Sequence, residues 1–224
     1  NPGPEDPIIT ADLPVSSTIG YVGQVSSESV AAVTSTDAAP RNRRQEETFR
    51  KVLAAGMEML REKSYADLNV RAVAARAKVA PATAYTYFSS KNHLIAEVYL
   101  DLVRQVPYFT DVNEPMPSRV NRALRHLALV VADEPEVAAA CTAALLSGSG
   151  DAAVRTVRDR IGAEIHRRIT SAIGPGADPQ TVSALEMTFF GALVNAGSGA
   201  FTYHQITDRL AFVVSLILES GVSK

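Results

Sequence analysis

The sequence predicts an all-α protein, with an N-terminal three-helix head and a larger C-terminal helical bundle. Apolar residues recur every three or four positions through most of 45–221, which is the spacing of one face of a helix. Clusters of Pro, Gly and Asp interrupt this spacing where helix ends are expected, and no long segment alternates as a strand would. These breaks predict an arm over 1–40, a head over 41–91 and a body over 92–224.

The arm differs from the rest of the chain in composition. Residues 1–40 are rich in Ser, Thr, Pro and Gly, and they carry five acidic residues and no Lys or Arg, for a net charge of −5. Such a composition is typical of a disordered tail. Its scattered apolar residues, among them Ile8, Leu13 and Ile19, favour the alternative that the arm docks onto the protein and restrains access to the basic head.

The head is the basic part of a chain whose overall formal charge is −2. Residues 41–91 carry eleven basic and five acidic residues, which gives +6, and phosphate binding requires a local positive surface of this kind. Three arginines precede the first predicted helix, and we expect them to contact phosphates or the minor groove, as Arg-rich arms before helical DNA-binding domains do. A solvated charge cluster is the alternative. These residues are Arg41, Arg43 and Arg44.

Residues 69–91 predict two short helices around a tight turn. Asn69 is a good N-cap, and Val70 and Val73 follow it at helical spacing. Pro81 suits the first position of the second helix, where its missing N–H costs nothing. That helix would turn small residues, hydroxyls and an aromatic ring outward, as a helix that enters a DNA major groove does. The predicted DNA contacts of this helix-turn-helix are Arg71, Pro81, Ala82, Thr83, Tyr85, Thr86, Tyr87 and Lys91.

The stretch over 72–91 carries a resemblance to a known family. It reads Ala-Val-Ala-Ala-Arg-Ala-Lys-Val-Ala-Pro-Ala-Thr-Ala-Tyr-Thr-Tyr-Phe-Ser-Ser-Lys and resembles the DNA-binding signature of the TetR family of transcriptional regulators, with similarity extending over about 43–103. The family commonly has Gly at the position of Lys78, a capping Ser or Thr at Ala80, and Leu or Ile at Ala84. The first departure places a non-Gly residue in the turn, and the second removes a helix cap worth roughly 1 kcal/mol.

The body is predicted to be helical throughout. Its helices are expected at 91–106, 118–132, 135–147, 151–173, 179–202 and 206–221. The TetR resemblance implies that these helices enclose an effector pocket whose occupancy changes the spacing of two heads. The apolar composition favours a hydrophobic effector, such as a lipid, a steroid or an acyl-thioester, over a highly charged one. The candidate ligand-binding residues, each of which could instead belong to the core, are Tyr99, Tyr108, Phe109, Cys141, Phe189, Phe190 and Asn195.

The last two predicted helices are suited to association between copies of the chain. Both carry broad apolar stripes, and Gly191, Gly197 and Gly199 permit close helix approach at a cost of roughly 1 kcal/mol each against Ala. The TetR resemblance implies a homodimer that pairs these helices as a four-helix bundle, whereas packing within one chain is the alternative. The predicted interface residues are Leu185, Ala192, Ala196, Leu210, Val213, Val214 and Ile217.

The resemblance as a whole implies a homodimeric one-component transcriptional regulator, and we expect it to be a repressor rather than an activator. Its partner would be a pseudo-palindromic double-stranded DNA operator, and an effector in the body would release the dimer from it. The alternative is an architectural DNA-binding protein, or a regulator, that responds to no small molecule. Ligand-dependent release of DNA separates the two.

The sequence shows no pattern that predicts catalysis, a metal or a cofactor. The four histidines, His93, His126, His166 and His204, lack metal-ligand spacing, and Gly148-Ser149-Gly150 lacks the Lys and the strand of a phosphate-binding loop. One cysteine, Cys141, forms no internal disulfide. No apolar run reaches the roughly 20 residues that span a bilayer, and no secretory signal is visible. We therefore expect a cytoplasmic protein that does not enter the membrane.

Overall fold

The computed structural model describes residues 43–147 and 150–221, and in these ranges it is entirely helical apart from turns and loops. The predicted all-α class is therefore confirmed for the described residues. Their helices are α1 (Arg43–Glu62), α2 (Val70–Arg76), α3 (Pro81–Tyr87), α4 (Lys91–Gln105), α5 (Met116–Leu129), α6 (Pro135–Ser147), α7 (Ala152–Ile173), α8 (Pro179–Gly197) and α9 (Tyr203–Gly221).

Some predictions fall outside the described residues. These are the arm over 1–40, Arg41, and Gly148-Ser149 between α6 and α7. In the part of the chain that the structure does describe, no helix is both long and apolar enough to cross a membrane.

The connection between α8 and α9 differs most from the predicted helix boundaries. The predicted helix over 179–202 ends instead at Gly197, and Gly199 follows with a φ of 82°, a left-handed conformation that favours glycine. Thr202 and Gln205 then form a reciprocal cap, because each side chain accepts a hydrogen bond from the other residue's backbone N–H. This Thr-x-x-Gln capping box starts α9 at Tyr203, three residues earlier than predicted.

The helical head is built around α1, against which α2, α3 and α4 pack. The inward face of α1 includes Val52 and Leu60, both fully buried. Phe49 on the same face stacks on Phe88, which immediately follows α3, with 5.0 Å between ring centroids. The packing fixes the orientation of α3, the helix on which the predicted DNA contacts lie.

A buried arginine joins α4 to α7 in the body. Arg168 on α7 is 2% exposed, and its Nε and Nη2 donate to the carbonyls of Val106 and Arg104, at 3.0 Å each. These carbonyls at the end of α4 have no partner within their own helix. Its Nη1 donates to Glu164 Oε2 at 2.7 Å, so the buried charge is paired. Arg168 therefore caps α4 and holds it against α7.

Arg119 caps the C-terminal end of α7 in the same way. Its Nε and Nη2 donate to the carbonyls of Ala172 and Ile173, at 2.9 and 3.1 Å, where α7 ends. Its Nη1 donates to the carbonyl of Glu114 in the loop before α5. Because the side chain is buried on α5, these bonds fix α5 against the end of α7.

Candidate nucleic-acid interface and effector cavity

The helix-turn-helix begins at the predicted N-cap. The side chain of Asn69 accepts a hydrogen bond from Ala72 N at 2.9 Å, as expected for a residue that caps α2. Lys78 makes the turn with a φ of 55°, a left-handed conformation in a non-Gly residue. Ala80 precedes α3 without a side-chain cap, and Pro81 occupies the first turn. The two departures noted in the sequence thus have the expected structural consequences.

The α3 helix turns one face to the core and the other to solvent. Ala84 and Phe88 are fully buried, so they hold the helix against the head. Thr86 Oγ1 donates to the carbonyl of Ala82 at 3.1 Å and lies on the outer face. The predicted contact residues that the structure leaves exposed are Arg71 on α2 and Pro81, Ala82, Thr83, Tyr85 and Thr86 on α3.

Two other predicted contact residues are held partly inside the head. Tyr87 is half-buried, with its ring edge-on to Phe49 at a centroid distance of 6.1 Å. Lys91 donates from Nζ to the Tyr65 carbonyl at 3.0 Å and lies 4.1 Å from the centroid of the Tyr65 ring. Both side chains are therefore positioned by contacts within the head, at the edge of the surface that α3 exposes.

Arg43 and Arg44 lie at the start of α1 and are both exposed. The Nε of Arg43 is 3.4 Å from Glu47 Oε1, one turn further along the helix. A pair this exposed is worth little and is screened by salt, so it leaves the guanidinium able to exchange partners. Arg44 and Arg71 form no ion pair among the described residues.

The body contains a cavity of about 380 Å³, within the size range of small-molecule sites. Three of the predicted ligand-binding residues, Tyr99, Cys141 and Phe190, line it. Its wall is mostly apolar and comes from α4, the loop after α5, and the four helices that follow. The lining residues are Tyr99, Val131, Ala138, Cys141, Thr142, Leu145, Leu146, Arg158, Ile161, Phe190, Leu193, Val194 and Tyr203.

The polar groups of the cavity are mostly neutral. Burial raises the pKa of the Cys141 thiol to about 12, and burial likewise raises the pKa of the Tyr99 phenol. The hydroxyls of Thr142 and Tyr203 lie 3.1 Å apart and share a hydrogen bond. Arg158 is the exception, since it brings a cation to the wall. The sequence signal for Arg158 was a charged residue on the apolar face of α7. It lies three positions before Ile161 and four positions after Val154.

The other predicted ligand-binding residues do not line this cavity. Phe189 is fully buried and does not line the cavity, although its ring centroid is 6.2 Å from that of Phe190, and Asn195 is exposed and donates to the Gly191 carbonyl at 2.8 Å. Phe109 packs against the ring of His126, with 4.8 Å between centroids, and Tyr108 lies beneath the Arg168 guanidinium. The burial of Phe189 and Phe109 agrees with the alternative that the sequence left open, a place in the core, whereas Tyr108 is 48% exposed.

The predicted interface residues on α8 and α9 mostly face their own chain. Leu185, Leu210 and Val214 are at most 3% exposed, because α9 packs between α5 and α8. Ala196 is also buried, and Ala192, Val213 and Ile217 are partly buried. A different set of apolar residues faces outward on the same two helices, and we call it the α8–α9 stripe. It consists of Met187, Phe190, Val194, Phe212 and Leu216, of which Phe190 and Val194 also border the cavity.

Polar contacts join the head to the helix that bears the cavity arginine. Ser90, which caps α4 directly after the helix-turn-helix, donates from Oγ to Asp151 Oδ2 at 2.8 Å. Asp151 in turn caps α7. Further along the same pair of helices, Arg160 Nη1 donates to Glu97 Oε1 at 2.6 Å. These hydrogen bonds connect α7 to α4 and to the residue that caps α4.

Comparison with known proteins identifies the family. Residues 52–98, from α1 into α4, match the family model described as bacterial regulatory proteins, tetR family. An uncharacterized HTH-type transcriptional regulator of Mycobacterium tuberculosis is 81% identical over 182 residues, which cover 81% of this chain and 85% of that protein. A regulator with the same description from Mycobacterium bovis matches equally well. The chain belongs to the TetR family. The resemblance found in the sequence is confirmed, and the protein is a TetR-family transcriptional regulator.

Solved structures of other TetR-family proteins share its fold. A TetR transcriptional regulator from a Rhodococcus species has a TM-score of 0.67 at 21% identity, covering 79% of this chain and 98% of that one. The Thermus thermophilus repressor FadR, solved in complex with lauroyl-CoA, has a TM-score of 0.58 at 13% identity, covering 74% and 92% of the two chains. At such identities the likeness concerns the fold alone.

Proposed function

We propose that this TetR-family protein is a homodimeric repressor that reads a pseudo-palindromic operator with α3 and leaves it when a small molecule occupies the body. The observation that carries the DNA-binding part is the outer face of α3. Thr83, Tyr85 and Thr86 are exposed there, while Ala84 and Phe88 hold the helix in place. Hydroxyls on a firmly packed helix can contact base edges in a major groove.

The dimer is supported by the α8–α9 stripe. Phe212 and Met187 are 67% and 73% exposed, and Phe190, Val194 and Leu216 are between 40% and 48% exposed. Large contiguous apolar surface is uncommon on monomers and marks association sites. A two-fold axis through the stripe would bring it against the same residues of a second copy. Two heads would then face successive major grooves on one side of the duplex.

The effector part of the proposal rests on the cavity and its connection to the head. A ligand can shift the protein towards a state that does not bind DNA only if it binds that state more tightly. Occupancy of a cavity partly walled by α7 would bias the position of that helix, and the Ser90–Asp151 bond links its start to the head. An architectural DNA-binding protein would have no need of such a cavity.

The test compares specific with random DNA. An operator is first selected from a pool of random duplexes, and the affinity of each variant is then measured on both by fluorescence anisotropy. Thr83→Ala should lower operator affinity about tenfold or more and change binding to random DNA little, because base contacts carry discrimination. Lys91→Ala should weaken both and reduce the salt slope by about one. Thr156→Ala, an exposed helical threonine in the body, is the matched control. Equal effects of Thr83→Ala and Thr156→Ala would contradict the role of α3.

A further inference from the structure

Arg158 differs from the other arginines on α7 whose partners the structure shows. Arg160 is 2.6 Å from Glu97, whereas Arg167 and Arg168 are each 2.7 Å from Glu164. The Nη2 of Arg158 donates to the Leu145 carbonyl at 2.5 Å. Its Nε is buried and has no hydrogen-bond acceptor among the described residues. No carboxylate in that part of the chain pairs with its charge.

The surroundings of Arg158 make this arrangement unusual for a structural residue. Among the described residues that line the cavity, it is the one ionised side chain, and no acidic side chain accompanies it. Arg158 is partly buried, and a cation held among apolar groups is unfavourable unless an anion or strong acceptors pair with it. Arg168, only ten residues further along α7, shows how the fold treats a structural arginine: every nitrogen of its guanidinium donates to an oxygen.

We propose that the effector of this protein is an apolar molecule with a single acidic group, held in the cavity with its anion on the guanidinium of Arg158. The inference rests on the proposed function in taking this cavity as the effector site, and it adds the chemical class of the ligand. A planar guanidinium binds a carboxylate or a sulfonate through charge-assisted hydrogen bonds. The apolar remainder would pack against side chains such as Ile161 and Leu193.

The composition of the wall also limits the charge of the ligand. One cation neutralises one anionic charge, and a second charge would remain unpaired beside Leu145, Phe190 and Val194. The hydrogen-bonded hydroxyls of Thr142 and Tyr203 offer a neutral polar site elsewhere in the same cavity. A singly charged amphiphile with at most a few neutral polar groups therefore fits better than a polyanion or a hydrocarbon.

The experiment uses two fluorescent probes that differ by one acidic group. Anilinonaphthalene sulfonate carries a sulfonate, and N-phenylnaphthylamine is the same ring system without it. Dissociation constants are measured by titration for the full chain and for Arg158→Met, Arg158→Lys and Arg155→Met. Arg155 is an exposed arginine on the same helix, so its replacement controls for the loss of a helical charge. Thermal unfolding of each variant shows that it is folded.

We expect the wild-type protein to bind the sulfonate about tenfold more tightly than the neutral probe, as a charge-assisted bond implies. Arg158→Met should remove that preference and leave the dissociation constant of the neutral probe within about twofold of its wild-type value. Arg158→Lys should retain part of the preference, and Arg155→Met should retain all of it. Cys141, the single cysteine of the chain and part of the cavity wall, reports the place of binding. Both probes should slow its reaction with a thiol reagent.

Three results would overturn the inference. They are equal affinity of the wild-type protein for the two probes, an unchanged preference in Arg158→Met, and binding that leaves the reactivity of Cys141 unaltered. The first of these needs no variant, so the inference stays testable if Arg158→Met does not fold. None of these measurements involves DNA. If the protein prefers the sulfonate as expected but ligand binding does not release it from operator DNA, the result counts against the proposed function instead.

Discussion

Lys78 holds the turn between α2 and α3 at an energetic cost. A non-Gly residue in a left-handed conformation is strained by roughly 1–2 kcal/mol, and Lys78 has a φ of 55°. We predict that Lys78→Gly raises the free energy of unfolding by about 1 kcal/mol, which corresponds to roughly 2–4 °C in melting temperature. Lys78→Ala removes the same charge and keeps the strain, so it should give no gain. Calorimetry that found both variants equal would contradict this.

The sequence predicted individual caps well and cavity residues poorly, for a physical reason. Asn69 and Ala80 could be assigned from the sequence because a helix cap depends on neighbours within three or four residues. Whether Phe189 or Phe190 faces a cavity depends on how helices distant in sequence pack around α8. One local signal was overlooked: Arg158 interrupts the apolar face of α7, and a charged residue there needs a partner from outside its own helix.

Among the helices, α7 is stabilised by a paired charge in the core. Removing one member of a buried ion pair leaves the other unpaired and costs roughly 3–5 kcal/mol. We predict a loss of this size for Arg168→Met, which also leaves the carbonyls at the end of α4 without donors. Arg167 contacts the same Glu164 from an exposed position, so Arg167→Met should cost less than about 1 kcal/mol. Chemical denaturation measures both, and equal losses would show that the capping role is wrong.

The same helices should make stability depend on pH in acid. Burial by itself would raise the pKa of Glu97, but His93 and Arg160 hold the pKa below the ordinary value of 4.5. Burial opposes the ionisation of Glu164 as well, and Arg168 and other arginines lower its pKa. A lowered pKa in the folded state stabilises the protein above about pH 4.5, and this contribution is lost as the pH falls through the lower folded values.

We therefore predict that the free energy of unfolding declines between about pH 5 and pH 3. Glu97→Gln should decline less steeply than the wild-type protein, because one of the groups that must take up a proton has been removed. Glu136→Gln, an exposed position on α6, is the control. Urea denaturation measures the free energy of unfolding of both variants across this pH range. The prediction would be contradicted if that free energy fell equally steeply with pH in Glu97→Gln and Glu136→Gln.

The positions of α8 and α9 could be predicted, but not which of their faces meets a partner. Both helices are apolar on more than one side, and periodicity alone does not distinguish a face buried within the chain from one buried between chains. The predicted residues Leu185, Leu210 and Val214 proved to be packed against α5 and neighbouring helices. Which residues are buried within the chain depends on the position of α5, a helix far from α9 in the sequence.

At the scale of the whole molecule, the α8–α9 stripe predicts how the protein associates. Phe212→Asp would place a carboxylate in the proposed apolar contact, which is strongly unfavourable. Since Phe212 is exposed within one chain, the fold should be unaffected while sedimentation shows a monomer and operator affinity falls. Val112→Asp changes an even more exposed apolar residue in the loop before α5 and should leave the dimer intact. A Phe212→Asp protein that remained dimeric would place the interface elsewhere.

The spacing of the selected operator tests most directly the claim that two copies of α3 read DNA together. Sequencing of duplexes enriched from a random pool should show two inverted half-sites with centres about one helical turn apart, or a multiple of it. Insertion of half a turn between them should abolish tight binding by turning one half-site to the opposite side of the duplex. Enrichment of a single asymmetric site that tolerates the insertion, or no enrichment at all, would contradict the account.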